Sequence, residues 1–445
     1  MLASTAGAAS LLMPSWYSRP VRAAEQPILT RVLIRRADSS LDASSLVVSG
    51  DGEFGVSDAR GEMIQKWPAR RQVTVGRDGD AFWFQEGESK RVAGLAGPLR
   101  FNGTGDGAPL RNQATSGSEP TAFRGTLEVT ASPEGRVALV NVLGIEEYLY
   151  GVVTKELPAL FGPEPLKAQA VAARTYTLAR QAQAPHKAQS ADICDTQHCQ
   201  AFGALNGEHA LGREAVDATR GVVMRSGGAE FLPYYSSACG GHTEAASTIF
   251  GGTDPRDSES VADGEIPGGL KLTSDDGALK FFKNGWDSNC SGSNRYRWSY
   301  AWDADQLKSV VSAGLARFQG TQTVAATSDG RVELLENVSV PERGESGRAL
   351  SIRFEAPGVS WTVKRDWGIR NFLRTPDGDI LPSSAVALEL ERGPDNKITK
   401  MTAYGAGWGH GAGMCQWGTK GLAARGLAFD AILGHYYPSA ELTKA

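Results

Sequence analysis

Residues 148–179 read YLYGVVTKELPALFGPEPLKAQAVAARTYTLA, and the change of character inside this stretch decides the fold class. Up to Pro158 the run is aromatic and apolar, with one carboxylate, Glu156, at the end of what reads as a strand. From Pro163 the pattern turns helical. Pro163 and Pro165 suit a first helical turn, where no N–H donor is needed, and Leu166 to Gln183 contains no glycine. The spacing predicts a helix over 163–183. At about 100° per residue, Lys167, Ala170, Val171, Arg174 and Leu178 share one side, so two cations lie on a face otherwise suited to packing. A lone carboxylate just upstream makes Glu156 the candidate acid/base group, with Lys167, Arg174 and Tyr176 as candidate substrate-binding residues. The alternative for Lys167 and Arg174 is snorkelling at a domain edge.

Three further motifs bear on chemistry. Tyr404 to Gly426, YGAGWGHGAGMCQWGTKGLAARG, is a glycine-rich loop in which Trp408 offers a flat face, His410 a titratable ring and Gln416 an amide. Glycine there keeps the backbone close to something, and a sugar ring suits that equipment. The loop lacks the Lys-Ser/Thr ending of a phosphate-binding loop. Phe231 to Glu244, FLPYYSSACGGHTE, brings Tyr235, Ser236 and Ser237 into a turn-rich passage, and Cys194 to Gly203, CDTQHCQAFG, supplies Gln200.

In this order the four motifs resemble the SpoIID/LytB family, through EYLYGVV-KE-P, LKAQAVAARTY, HCQ, SSACGGHTE, GWGHGAGM-QWG-KG and ILGHYYP, over roughly residues 120–445. The resemblance implies a lytic transglycosylase that cuts peptidoglycan between N-acetylmuramic acid and N-acetylglucosamine, on strands stripped of stem peptides, with Glu156 as the catalytic acid/base. One carboxylate suffices for that reaction. Most glycosidases need a second Asp or Glu, whereas lytic cleavage lets one group protonate the glycosidic oxygen and then deprotonate the C6 hydroxyl of the same muramic acid. The mechanism requires the pKa of Glu156 to be raised by apolar enclosure. Lys155, Lys167 and Arg174 would oppose this if close. Two rivals stand beside this reading: a non-catalytic glycan-binding protein that stimulates an N-acetylmuramoyl-L-alanine amidase, and a cysteine peptidase or amidase using Cys239 with His242 or Cys415 with His410.

Five cysteines, Cys194, Cys199, Cys239, Cys290 and Cys415, leave one over if the rest pair. A Cys199–Cys239 or Cys239–Cys290 disulfide is expected in an exported protein. The rival is zinc, because Cys194, His198 and Cys199 have ligand-like spacing and the resemblance implies the metal in some relatives. Such an ion would be structural, and the reaction requires no cofactor.

The formal net charge of −4 gives no basic surface for nucleic acid, and 53 glycines with 21 prolines over 445 residues indicate many turns. No apolar run reaches transmembrane length. Residues 1–25 read as an export signal without its basic start, as though truncated, or as a disordered tail. The expected location is extracytoplasmic. Short β-patterned runs at Arg31 to Arg35, Ser45 to Ser49 and Arg71 to Val75 predict a small β accessory module over 26–105. A linker follows over 106–119, and a mixed, β-rich catalytic domain with a few helices around a groove over 120–445. Thr126 to Val129 and Arg136 to Val142 read as a hairpin, further helices are expected at 211–219, 304–313 and 418–434, strands across 322–404, and a short helix at Trp367 to Leu373. The class is α+β.

Overall fold

A computed structural model describes residues 27–34, 43–104, 107–112, 120–251, 254, 258–318, 324–325 and 332–445. The expected export signal and most of the expected linker lie outside these. Strand is somewhat more abundant than helix, 34% against 28%, in several sheets, so the α+β expectation is met. Among the described residues no helix is long and apolar enough to cross a membrane.

The stretch 145–158 departs from expectation. Ile145–Glu156 is a helix, here α1. Its buried residues, Ile145, Tyr148, Leu149, Val152 and Val153, fall at helical spacing, a signal that aromatic and β-branched content masked. Glu146 and Glu147 occupy its first turn, where acidic groups are favoured, and Glu147 Oε2 accepts from the Gly144 N–H at 3.3 Å. The helix stops because Leu157 precedes Pro158 and adopts extended backbone, φ −130° and ψ 125°. Glu156 is therefore the last residue of a helix, not the end of a strand.

Helix α2, Pro163–Gln183, matches the expected 163–183. It runs between two apolar cores: Leu166, Ala170 and Ala173 face one, and Ala168, Val171 and Ala172 face the other. Small side chains on both faces let neighbours approach from two directions, which accounts for its alanine content. The expected helix at 211–219 is α3, Ala210–Ala218. That at 304–313 continues to Arg317, and Asp366–Phe372 forms the short helix expected near Trp367. The expected 418–434 helix is two, Gln416–Ala424 and Phe429–Tyr436, broken at Gly426, whose φ is +88°.

The separate N-terminal module does not form. Leu29–Ile34 pairs antiparallel with Val137–Gly144 and parallel with Ile193–Cys194, and Leu99–Gly103 pairs with Thr126–Ala131. Residues placed in the expected module thus share a seven-stranded sheet with residues placed in the catalytic domain, and one apolar core runs from Val32 to Val216. A second core holds the strand-rich stretch from Trp298 to Ala403.

An ion pair locks α1 to α2. Arg174, with 1% of its side chain exposed, donates to both carboxylate oxygens of Glu146 at 3.0 and 2.6 Å and to the Val222 carbonyl at 3.0 Å. Glu146 also accepts from the Gly221 N–H at 3.0 Å. Removing one partner leaves a buried charge uncompensated, so Arg174→Ala is expected to lose about 3–5 kcal/mol of stability. Urea unfolding measures this, and a change under about 1 kcal/mol would show that the pair is dispensable.

Candidate active site around Glu156

Glu156 sits at the C-terminal end of α1, half-buried. Its Oε1 accepts from the Ala201 N–H at 2.7 Å, and the Gln416 side chain lies within interacting range of its carboxyl. Gly151 makes the first of these contacts achievable. A Cβ there would come within 2.7 Å of the Phe202 ring and 2.8 Å of the Ala204 carbonyl, and Gly203 N–H donates to the Gly151 carbonyl at 2.9 Å. The absent side chain lets the loop that carries Ala201 lie directly on the helix.

Around the carboxyl the four motifs meet. Gln200 is buried, and its Oε1 accepts from the hydroxyls of Tyr148 at 3.0 Å and Thr177 at 3.2 Å. Its side chain also lies near the Tyr235 hydroxyl. Gln416 opens the helix Gln416–Ala424 and reaches Gln169 Oε1 at 3.3 Å. Tyr176 lies edge-on to Tyr234 and Tyr235, with ring centroids 6.1 and 6.3 Å away. Burial, with the Glu156 carboxyl nearby, pushes the Tyr148 and Tyr235 phenols well above the ordinary 10.0.

Burial also raises the Glu156 pKa above its ordinary 4.5, opposed by the Ala201 hydrogen bond and the Gln416 side chain. The helix C-terminus, with its partial negative charge, works in the same direction as burial. Lys167 is paired with Glu164 at 2.7 Å. Arg174, expected in a substrate groove, is instead enclosed by Glu146 and two backbone carbonyls, because it faces the α1–α2 junction.

The glycine-rich loop lies close against other parts of the chain. A Cβ at Gly413 would meet the Tyr234 carbonyl at 1.9 Å, and one at Gly411 the Arg348 guanidinium at 2.1 Å. Trp408 and Ala238 exchange backbone hydrogen bonds at 2.8 and 3.1 Å. The close approach is therefore to Arg348 and to the chain's own segment from Tyr234 to Cys239. His410 packs against the Phe250 and Tyr234 rings, at 5.2 and 6.1 Å, and its Nδ1 accepts from the Ala412 N–H at 3.0 Å. Burial lowers its pKa to about 4, so the ring is neutral at neutral pH. Trp408 keeps an exposed face, with the Arg295 guanidinium 4.9 Å from its centroid. Ser236 Oγ is buried without a partner, and the Ser237 carbonyl accepts from the Trp417 N–H at 3.0 Å.

The sequence reading overlooked Tyr148, Gln169 and Trp417. Trp417 meets Phe161 at 4.8 Å, and Lys420 lies 5.1 Å from both ring centroids, which makes an aromatic and cationic surface beside Gln416. A cleft of about 380 Å³ opens between Thr154 and Lys155 on one side and Gly207 to His209 on the other; Glu156 does not line it.

All five cysteines are free thiols, so neither expected disulfide forms. Cys199 and Cys239 belong to two separate clusters, and the Cys239 and Cys290 sulfurs stand 3.7 Å apart. The thiol–imidazole pairs of the peptidase reading are not formed either: His242 Nδ1 turns to the Thr243 carbonyl and Cys239 to Asp263. His186, Cys194, His198 and Cys199 gather their ligand atoms within 4.8 Å of one another. The Cys199 sulfur lies 3.4 Å from both His186 Nε2 and His198 Nδ1. Two thiols and two imidazoles so disposed fit a tetrahedral zinc ion. His186 completes the trio read from sequence; its only linear signal is a histidine just past the end of α2. Hydrogen bonding from Cys199, Thr196 and His198 lowers the Cys194 pKa to about 3.

Because folding raises the Glu156 pKa, the folded state holds that proton more tightly than the unfolded chain. The resulting stabilisation is complete below the ordinary 4.5 and lost as pH rises through the raised value. Glu156→Gln keeps an acceptor for Ala201 and cannot ionise. It should therefore melt above wild type at neutral pH, with the gap closing on acidification; a gap independent of pH would mean that the carboxyl titrates as in water.

Among known proteins, the family described as Stage II sporulation protein (SpoIID) matches residues 133–225, which include Glu156 and Gln200. A domain of unknown function (DUF8618) matches residues 256–413. The amidase enhancer of Bacillus subtilis (strain 168) is 27% identical over 317 residues, covering 66% of this chain and 40% of that protein. The stage II sporulation protein D of the same organism is 24% identical over 358 residues, covering 76% of this chain and 88% of its own length. That of Bacillus amyloliquefaciens is 23% identical over 346 residues, covering 74% and 83%. The chain thus spans well under half of the amidase enhancer.

Proposed function

From the premise that the chain belongs to the SpoIID/LytB family, we propose that it is an extracytoplasmic lytic transglycosylase acting on peptide-stripped peptidoglycan strands, with Glu156 as its single acid/base. The observation that carries this is the convergence of all four motifs on one carboxyl whose pKa burial raises. Protonated Glu156 gives its proton to the oxygen joining N-acetylmuramic acid to N-acetylglucosamine, and the C1–O bond breaks. The resulting carboxylate is held by the Ala201 N–H and Gln416. It then takes the C6 hydroxyl proton of the same muramic acid as O6 bonds to C1, closing the 1,6-anhydro ring and restoring the acid without water.

Buried Gln200 braces Tyr148 and Thr177 behind the site rather than meeting the sugar, while Tyr235 and Gln416 border the carboxyl. Trp408 and Trp417 supply flat faces for sugar rings, bordered by Tyr176, Ser236 and Ser237. Lys167 and Lys420 supply cations for lactyl carboxylates, while neutral His410 holds the glycine loop at the groove edge. His186, Cys194, His198 and Cys199 would hold a zinc ion whose contribution is structural, fixing the loop that continues directly into Gln200 and Ala201.

The similarity to a protein named amidase enhancer favours a second reading, in which the chain binds glycan and stimulates an amidase. Mass analysis of amidase-stripped peptidoglycan after incubation separates the two. Anhydro-ended products that vanish with Glu156→Gln, while glycan binding persists, fit the transglycosylase. No products from wild type, together with faster amidase turnover, fits the enhancer, and unchanged products from the Gln variant would overturn the role of Glu156. Cys194→Ser should lose zinc and lower turnover by loosening Ala201; unaltered zinc content would remove that site.

A further inference from the structure

A second cluster of soft ligands lies away from the one just described. Cys239, Asp263, Cys290 and Cys415 are all buried, and their ligand atoms lie within 4.8 Å of one another. We propose that they form a second, mononuclear zinc site. The Cys239 and Cys290 sulfurs are 3.7 Å apart, close to the edge of about 3.8 Å that a tetrahedron with metal–sulfur bonds of about 2.3 Å requires. Cys239 Sγ reaches Asp263 Oδ2 at 3.2 Å. A grouping this tight encloses one ion and leaves no room for a polynuclear cluster.

The surroundings suit thiolates. Backbone N–H groups point at two of the sulfurs: Gly241 at Cys239 (3.4 Å), and Gly418 and Cys239 itself at Cys415 (3.3 and 3.2 Å). The Ser288 hydroxyl lies 3.4 Å from Cys290 Sγ. Asp263 is aimed by its other oxygen, which accepts from the Tyr436 hydroxyl at 2.6 Å and from Asn289 Nδ2 at 3.1 Å. Carboxylate ligands are commonly oriented in this way. Arg297 lies close enough to interact electrostatically with Cys239 and Cys290, and its Nη2 is buried without a partner. It offsets part of the negative charge that three thiolates and a carboxylate retain around a divalent ion. Without an ion, Asp263 is a fully buried carboxyl whose nearest basic group is His435, at 3.7 Å, a placement proteins avoid unless the charge is paired or bound to metal.

The ion would join four separate segments. Cys239 belongs to the SSACGG passage and Cys415 immediately precedes Gln416, while Asp263 and Cys290 come from the chain between them. The site would fix the parallel pairing of Tyr235–Ser236 with Met414–Cys415, and so the start of the helix that carries Gln416. The inference does not depend on the reaction proposed above.

Zinc stoichiometry tests it. In the full chain with Cys194→Ser and Cys199→Ser, which disable the other cluster, one zinc per chain is expected by inductively coupled plasma mass spectrometry, falling to none when Cys290→Ser and Cys415→Ser are added. A folded first variant without zinc would overturn the proposal, as would an intact mass showing a Cys239–Cys290 disulfide in the wild type. Should the variants fail to fold, the wild type answers by native mass spectrometry: two zinc ions per chain support the site, and one or none overturns it.

Discussion

One hydrogen bond organises the candidate site: the Ala201 N–H to Glu156 Oε1 at 2.7 Å. It ties the last residue of α1 to the loop that follows Cys199, and it holds the carboxyl where burial disfavours its charge. The two influences oppose each other, since an N–H donor stabilises the carboxylate while desolvation stabilises the acid. Burial is the larger. In the reaction proposed for Glu156, burial favours the acid that gives the proton and the Ala201 N–H favours the carboxylate that takes one back.

Much of this was legible in the chain. Alanine-rich periodicity and an initiating proline delimited α2, since these features act locally and no tertiary contact overrides them. The type of α1 was not legible from content alone: Tyr148, Tyr150, Val152 and Val153 favour strands, and only the spacing of Ile145, Leu149, Val152 and Val153 betrays the helix. Arg174 illustrates a different failure. Its position on an apolar face suggested a ligand-facing cation, but Glu146 lies on the adjoining helix, and a pairing between helices leaves no mark in the linear spacing. The N-terminal strands read as a separate module because turn signals mark their ends without naming their partners. Leu29–Ile34 finds its partners more than a hundred residues onward.

The candidate site shows the same division. Glu156, Gln200, Tyr235 and Gln416 could be singled out because each sits in a dense motif, whereas Gln169 and Tyr148 look like ordinary residues of helices and become visible only through their bonds. The glycine loop was read as a place of close backbone approach, and the surfaces it approaches include the segment from Tyr234 to Cys239 and the Arg348 guanidinium. His186 and Asp263 were overlooked for a similar reason, since metal-ligand spacing is recognisable when ligands are near in sequence and silent when a turn or a long excursion separates them.

The placement of Leu29–Ile34 also bears on how the chain acquires its shape. Delivered N-terminus first, this strand emerges long before Val137–Gly144, and its other neighbour, Ile193–Cys194, arrives later still. Until then an apolar ribbon has both edges unsatisfied, a state prone to pairing with other chains. Such long-range closure slows folding. Arrival of Cys194 beside Leu33 would complete the sheet and seat a cysteine of the first cluster in a single event, coupling the last step of sheet assembly to metal capture.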